Sequence, residues 1–137
     1  RRSLARKRAK DRLRRLTSRR WGVSMERRIE EINRFTVGWT AYYRLADTPW
    51  PFEDLDQWLR RRLRQVRWKE WKRPRTRRRN LRALDINELN ARQWASSRKG
   101  YWRIAGSWVL CYALPNAYWA DLGLKGFSDP YRRFREC

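Results

Sequence analysis

Along this chain, arginine-rich stretches alternate with aromatic-rich ones, and the apolar residues recur at three- and four-residue steps, the helical period. Over residues 3–17, SLARKRAKDRLRRLT, a thin stripe of Ala5, Ala9, Leu13 and Leu16 is surrounded by Arg and Lys. The pattern predicts a helix with Ser3 as its N-cap, too sparsely apolar to hold itself helical without packing or a ligand. The segment TSRRWG breaks it. A second helix opens at Ser24, with Glu26, Glu30 and Glu31 near its positive end. Met25, Ile29, Ile32, Phe35, Trp39 and Tyr42 form its core-facing stripe. Residues 46–51, ADTPWP, read as a proline-punctuated loop.

A third helix is predicted from about Asp54 to Lys72. At about 100° per residue, Leu55, Trp58, Leu59, Leu63 and Val66 share one face. The opposite face receives Arg60, Arg61, Arg64, Arg67, Trp68 and Trp71, which sets two tryptophans among the arginines rather than over the core. Arg73 precedes Pro74, which disfavours helix there, and residues 73–80 are expected as a basic loop. Residues 86–96 suit a short helix, and Ser107 caps another through Leu114. Pro115 opens a further segment that Gly123 stops. No segment alternates strictly enough for a strand. The expected fold is all-α, a three-helix thumb-like unit followed by a small irregular helical unit, and 137 residues allow one domain or two small ones.

Charge changes the picture more than length does. The net charge is +22, and two segments carry the whole imbalance. Residues 1–20 hold eleven Arg/Lys against Asp11, and residues 60–82 hold thirteen against Glu70. Two basic segments separated by neutral, aromatic-rich sequence point to a folded body with a cationic face. The cations are mostly arginine, whose planar fork suits bidentate phosphate contacts. Nucleic acid is the first expected partner. An anionic membrane surface is the rival, but no stretch approaches the ~20 apolar residues of a span, no signal peptide opens the chain, and no membrane partner is expected.

The candidate chemistry is binding. The chain has no histidine, which removes Cys₂His₂ zinc sites, Ser-His-Asp triads and histidine general bases together. The close acidic groups, Glu30/Glu31 and Glu53/Asp54/Asp56, sit at predicted helix starts, where acids favour the dipole, and no Gly-rich phosphate loop is present. No catalytic residue, metal site or cofactor is therefore assigned. Cys111 and Cys137 lie far apart, which fits a reduced, cytoplasmic setting better than a disulfide framework. Trp68 and Trp71 admit two readings, packing beneath the second unit or stacking on a base or ribose. The run Lys72, Arg73, Arg75, Arg77, Arg78, Arg79 contains no acid and is expected to contact phosphate. In SSRKGYWRIA, residues 96–105, Arg98, Lys99 and Arg103 surround Gly100, Tyr101 and Trp102. That stretch reads equally as a turn whose aromatics fill a small core and as an RNA contact.

Five motifs in order carry a resemblance: GWTAYY (Gly38–Tyr43), LDQWLRRRLR (Leu55–Arg64), WKEWKRPRTRRRNL (Trp68–Leu81), SRKGYWRIA (Ser97–Ala105) and LGL (Leu122–Leu124). Together they resemble the C-terminal region of group II intron reverse transcriptase/maturases. The resemblance implies that residues 1–72 correspond to the helical thumb, which grips the template–primer duplex. It implies that residues 73–137 correspond to the maturase-specific domain, or domain X, which helps bind intron RNA and stabilise its splicing-active fold. It nominates Arg60, Arg61, Arg62, Arg64, Lys69, Lys72, Arg73, Arg75, Arg77, Arg78, Arg79, Arg98, Lys99 and Arg103 as RNA contacts, with Tyr101 and Trp102 in support. Arg67, Trp68 and Trp71 join them from the basic face of the third helix. Trp108 departs from the pattern, standing where family members often show proline. The fingers and palm with their metal-binding aspartates have no counterpart here, so a fragment or split product that does not copy RNA alone is expected. Mg²⁺ would enter only through bound RNA or a separate fingers/palm chain. The alternative reading is a generic structured-RNA-binding or ribosome-associated basic protein.

Overall fold

The computed structural model describes residues 2–43 and 52–127; the expected 46–51 loop and Cys137 lie outside them. Among the described residues the fold is all-helical. Three long helices come first, α1 (Arg2–Leu16), α2 (Met25–Tyr43) and α3 (Phe52–Glu70). Five short ones follow: α4 (Pro74–Ala83), α5 (Glu88–Ala95), α6 (Tyr101–Ala105), α7 (Trp108–Ala113) and α8 (Asn116–Asp121).

Local chemistry explains most of the boundaries. Ser24, Asn87 and Ser107 cap α2, α5 and α7, their side-chain oxygens accepting from the amides of Arg27 (3.1 Å), Asn90 (2.8 Å) and Leu110 (3.4 Å). Helix α1 begins at Arg2, one residue ahead of Ser3, the expected cap, whose side chain lies outside the described ones. Pro115 stands at the N-cap of α8, and Gly123 follows that helix in a left-handed conformation (φ 99°).

The expected basic loop 73–80 is instead helix α4. Lys72 ends α3 in the left-handed region (φ 35°) and Arg73 is extended, as a residue before proline must be. Pro74 then opens α4 from its first turn, where its missing N–H costs nothing. The interruption therefore spans only the join. On α4, Arg77 and Leu81, four residues apart, face inward and are buried.

One apolar cluster joins all the long helices to the short ones. Leu13, Ile32, Leu55, Leu59, Leu63, Leu81, Ile104, Leu110, Trp119 and Phe127 are its most enclosed members. It draws members from both sides of residue 72, among them Leu63 and Trp68 before it and Leu81 and Ile104 after it. Tyr42, assigned to the core stripe from sequence, is 79% exposed. Two polar clasps bind the segment after α8. Asn33 donates to the Gly123 carbonyl (2.7 Å) and accepts from the Lys125 amide (2.9 Å). Asp56 accepts from the buried Phe127 amide (2.7 Å). Phe127 meets Phe35 and Trp39 edge-on, with ring centroids 6.5 and 5.2 Å apart.

Candidate nucleic-acid interface

The cationic face of α3 is turned largely inward. Every helix leaves carbonyls without amide partners at its C-terminal end, and here arginine side chains supply donors to several of them. The amide of Lys72, which in a continuing helix would reach the Trp68 carbonyl, bonds Lys69 instead (3.0 Å). Arg77 takes the vacated acceptor, its Nε and Nη2 donating to Trp68 O at 3.1 and 2.9 Å. Likewise Ser18 N bonds the Arg15 carbonyl (3.3 Å), and Arg62 Nη2 donates to the Arg14 carbonyl (3.2 Å). Arg64 Nε donates to Leu114 O at the end of α7 (3.0 Å). Arg61 reaches the Trp102 carbonyl (3.1 and 2.8 Å) while its guanidinium lies 4.0 Å from the Trp102 ring.

Burial leaves its mark on these groups. Desolvation lowers the pKa of Arg28, Arg62 and Arg64; Glu70 partly opposes it at Arg28, and neighbouring arginines reinforce it at Arg62. At Arg67 burial also acts against the charge, but the Tyr118 hydroxyl, which accepts at 3.0 and 2.8 Å, and Glu70 at 3.1 Å outweigh it, and the pKa is raised. Guanidinium is so basic that all four stay charged near neutrality.

The eighteen residues nominated from sequence therefore divide. Trp68 is 1% exposed and belongs to the core, so the placement of its ring among outward arginines is corrected: α6 packs on α3, and Arg77 of α4 closes over Trp68. Its ring lies 4.4 Å from the Arg77 guanidinium. Arg64 and Arg77 are buried, and Arg60, Arg61, Arg62, Arg67 and Trp71 are half-buried. Tyr101 is half-buried between Arg19 (4.5 Å) and Arg77 (5.8 Å). Lys69 is exposed along its length while its Nζ donates to Arg19 O (2.5 Å). The outward set is Lys72, Arg73, Arg75, Arg78, Arg79, Arg98, Lys99 and Arg103. Of these, Arg78 pairs with Glu88, and Lys99 lies 5.3 Å from the Trp94 ring. Lys72, Arg73, Arg75, Arg79, Arg98 and Arg103 have no side-chain partner among the described residues.

Sequence reasoning assigned no site residue before Arg60, and the structure shows what that leaves out. Lys7, Arg8, Arg12, Arg15 and Arg20 are exposed. Arg6 pairs with Asp54, Arg62 holds the Arg14 carbonyl, and Lys69 holds that of Arg19, so α1 is tied along α3. Arg19 of the first basic segment and Arg77 of the second both lie near the Tyr101 ring. The +10 charge of residues 1–20 was the available signal; the missing information was which of those cations point out. Arg28 is the opposite case. It is buried and gathers the carbonyls of Leu16 (2.7 Å), Ser18 (3.1 Å) and Trp21 (2.7 Å) at the end of α1.

Three of the acidic residues singled out from sequence hold helices or segments together. Glu31 pairs with Arg27 (3.4 Å) and Arg34 (3.3 Å), Asp54 with Arg6, and Asp56 caps Phe127. Among the described residues no group of three or more His, Cys, Asp or Glu could hold a metal ion, and no helix is long and apolar enough to cross a membrane. Cys111 is exposed and free.

The geometry thus sets a group of exposed cations on a helical frame. A comparison with curated proteins finds no match. A family model described as "Group II intron, maturase-specific domain" matches residues 6–84. That stretch runs from the first turns of α1 to just past α4, across the join at residue 72, and covers more than half of the 137 residues. The chain belongs to the group II intron maturase-specific domain family.

Proposed function

We propose that this chain is an RNA-binding maturase module that grips group II intron RNA and so favours its splicing-active fold, making no bonds itself. Membership of the maturase-specific family indicates a splicing-related role. The observation that carries the finer reading is on and beside α4: Lys72, Arg73, Arg75 and Arg79 are exposed, without partners among the described residues, on a helix held in place by Arg77 and Leu81. A cationic helix that does not need these charges for its own packing is suited to neutralising phosphates brought close by RNA folding. Arg98 and Arg103, also outward and free among the described residues, extend the reach around Tyr101. Structured RNA would be selected by shape. The same cations would position a template–primer duplex for a separate fingers/palm chain, with Mg²⁺ brought by that chain or by the RNA.

A competition titration tests the partner. Group II intron RNA should displace unrelated structured RNA of equal length from the protein; equal competition by both would reduce the role to generic RNA binding. With primer, template, Mg²⁺ and nucleotides, the purified chain should extend nothing, and extension by a rigorously purified sample would overturn the binding-only reading.

A further inference from the structure

The corner between α1 and α2 forms an open depression of about 620 Å³. Arg12 and Arg15 from α1, Arg20 from the turn and Arg27 from α2 line it, with Trp21 among them and Glu31 as its only acid. Glu31 is already shared by Arg27 and Arg34, so it neutralises at most one of the four. Arg12, Arg15 and Arg20 are exposed and have no side-chain partner among the described residues. Like charges this close repel, and an anion seated among them relieves that repulsion.

The aromatic lining is fixed in advance. The Trp21 amide donates to the Ser18 carbonyl (3.2 Å), its carbonyl accepts from Arg28 Nη2 (2.7 Å), and the Arg28 guanidinium lies 5.2 Å from the ring centroid. The half-buried indole is therefore held while part of it lines the depression. Arginines around a fixed aromatic surface suit a nucleotide whose base is unpaired. The ring stacks on the base, which a duplex would keep covered, and the cations take the flanking phosphates.

We propose that this corner is a second RNA subsite, separate from α4, that binds a single-stranded nucleotide with its base on Trp21 and its phosphates on Arg12, Arg15, Arg20 and Arg27. The proposal rests on the RNA-binding reading above. The test uses fluorescence anisotropy with a ten-nucleotide single-stranded RNA and a ten-base-pair RNA duplex as probes, on the wild-type chain and three variants. R12A/R15A/R20A should lose on the order of tenfold or more in single-strand affinity, with the log–log salt slope shallower by about two. Trp21→Leu should lose about tenfold on the single strand and less than twofold on the duplex. R75A/R79A should weaken both probes alike. If R12A/R15A/R20A stays within twofold of wild type while R75A/R79A does not, the corner is no subsite and the RNA-binding reading stands. Equal losses on strand and duplex in the corner variants contradict the stacked base. A wild-type chain that binds neither probe removes both readings. Should Trp21→Leu melt early, Trp21→Phe with an intermediate loss on the single strand supports the stack, and no loss opposes it.

Discussion

Arg77 and Arg79 stand two positions apart on one short helix and do different work. Arg77 donates two bonds to a carbonyl that its own helix geometry left open, over the face of a buried tryptophan; Arg79 points outward. Arg77→Ala should destabilise the chain by about 2–4 kcal/mol in denaturant melts, because charge-assisted bonds are lost and a buried carbonyl is left unmet. Arg77→Lys should recover only part of that, since an ammonium lacks the two-pronged fork. Arg75→Ala and Arg79→Ala should stay within about 0.5 kcal/mol of wild type, yet each should make the salt slope of RNA binding shallower by about one. In sequence all of these residues read as one phosphate-binding run. Nothing in an arginine's identity says whether its guanidinium meets a phosphate or a helix end, and that depends on where the neighbouring helix stops.

At the level of elements, α2, α3 and α7 were legible because an apolar stripe or a capping residue marks each of them, and α5 falls within the short helix expected over residues 86–96. Leu59 and Leu63 are fully buried as the period required, and truncating either to Ala should cost roughly 2–5 kcal/mol. Helix α4 was not legible, since its inward face consists of Leu81 and an arginine, and a periodicity argument counts only the first. Helix α6 is five residues long, too short for a period to show. The helical state of α4 has a direct test: Arg79→Pro should cost about 3 kcal/mol or more and reduce helicity by circular dichroism, whereas a loop would accept proline with little change. The turn after α8 offers a second test. Gly126 has φ 64°, and a methyl group there would lie 2.6 Å from Asp56 Oδ1. Gly126→Ala should therefore destabilise by about 1–2 kcal/mol, with the loss appearing as an earlier thermal melt.

Over the whole molecule, two basic segments far apart in sequence are drawn together by bonds from α3 to the end of α1 and by rings at Tyr101. Part of the +22 charge thereby joins helices, while among the described residues cations such as Lys7, Arg8, Arg12, Arg75 and Arg79 face outward. Uncompensated charge of one sign opposes the compact state. Moderate salt, which screens exposed charges beyond about 10 Å at 0.1 M, should raise the melting temperature of the free chain while weakening its hold on RNA. The most direct test of the central claim, that the outward cations grip RNA through its phosphates, is the salt dependence of that affinity for group II intron RNA. If roughly six phosphates are neutralised, log K against log salt should fall with a slope near −4 to −5. A slope shallower than about −1 would contradict the account.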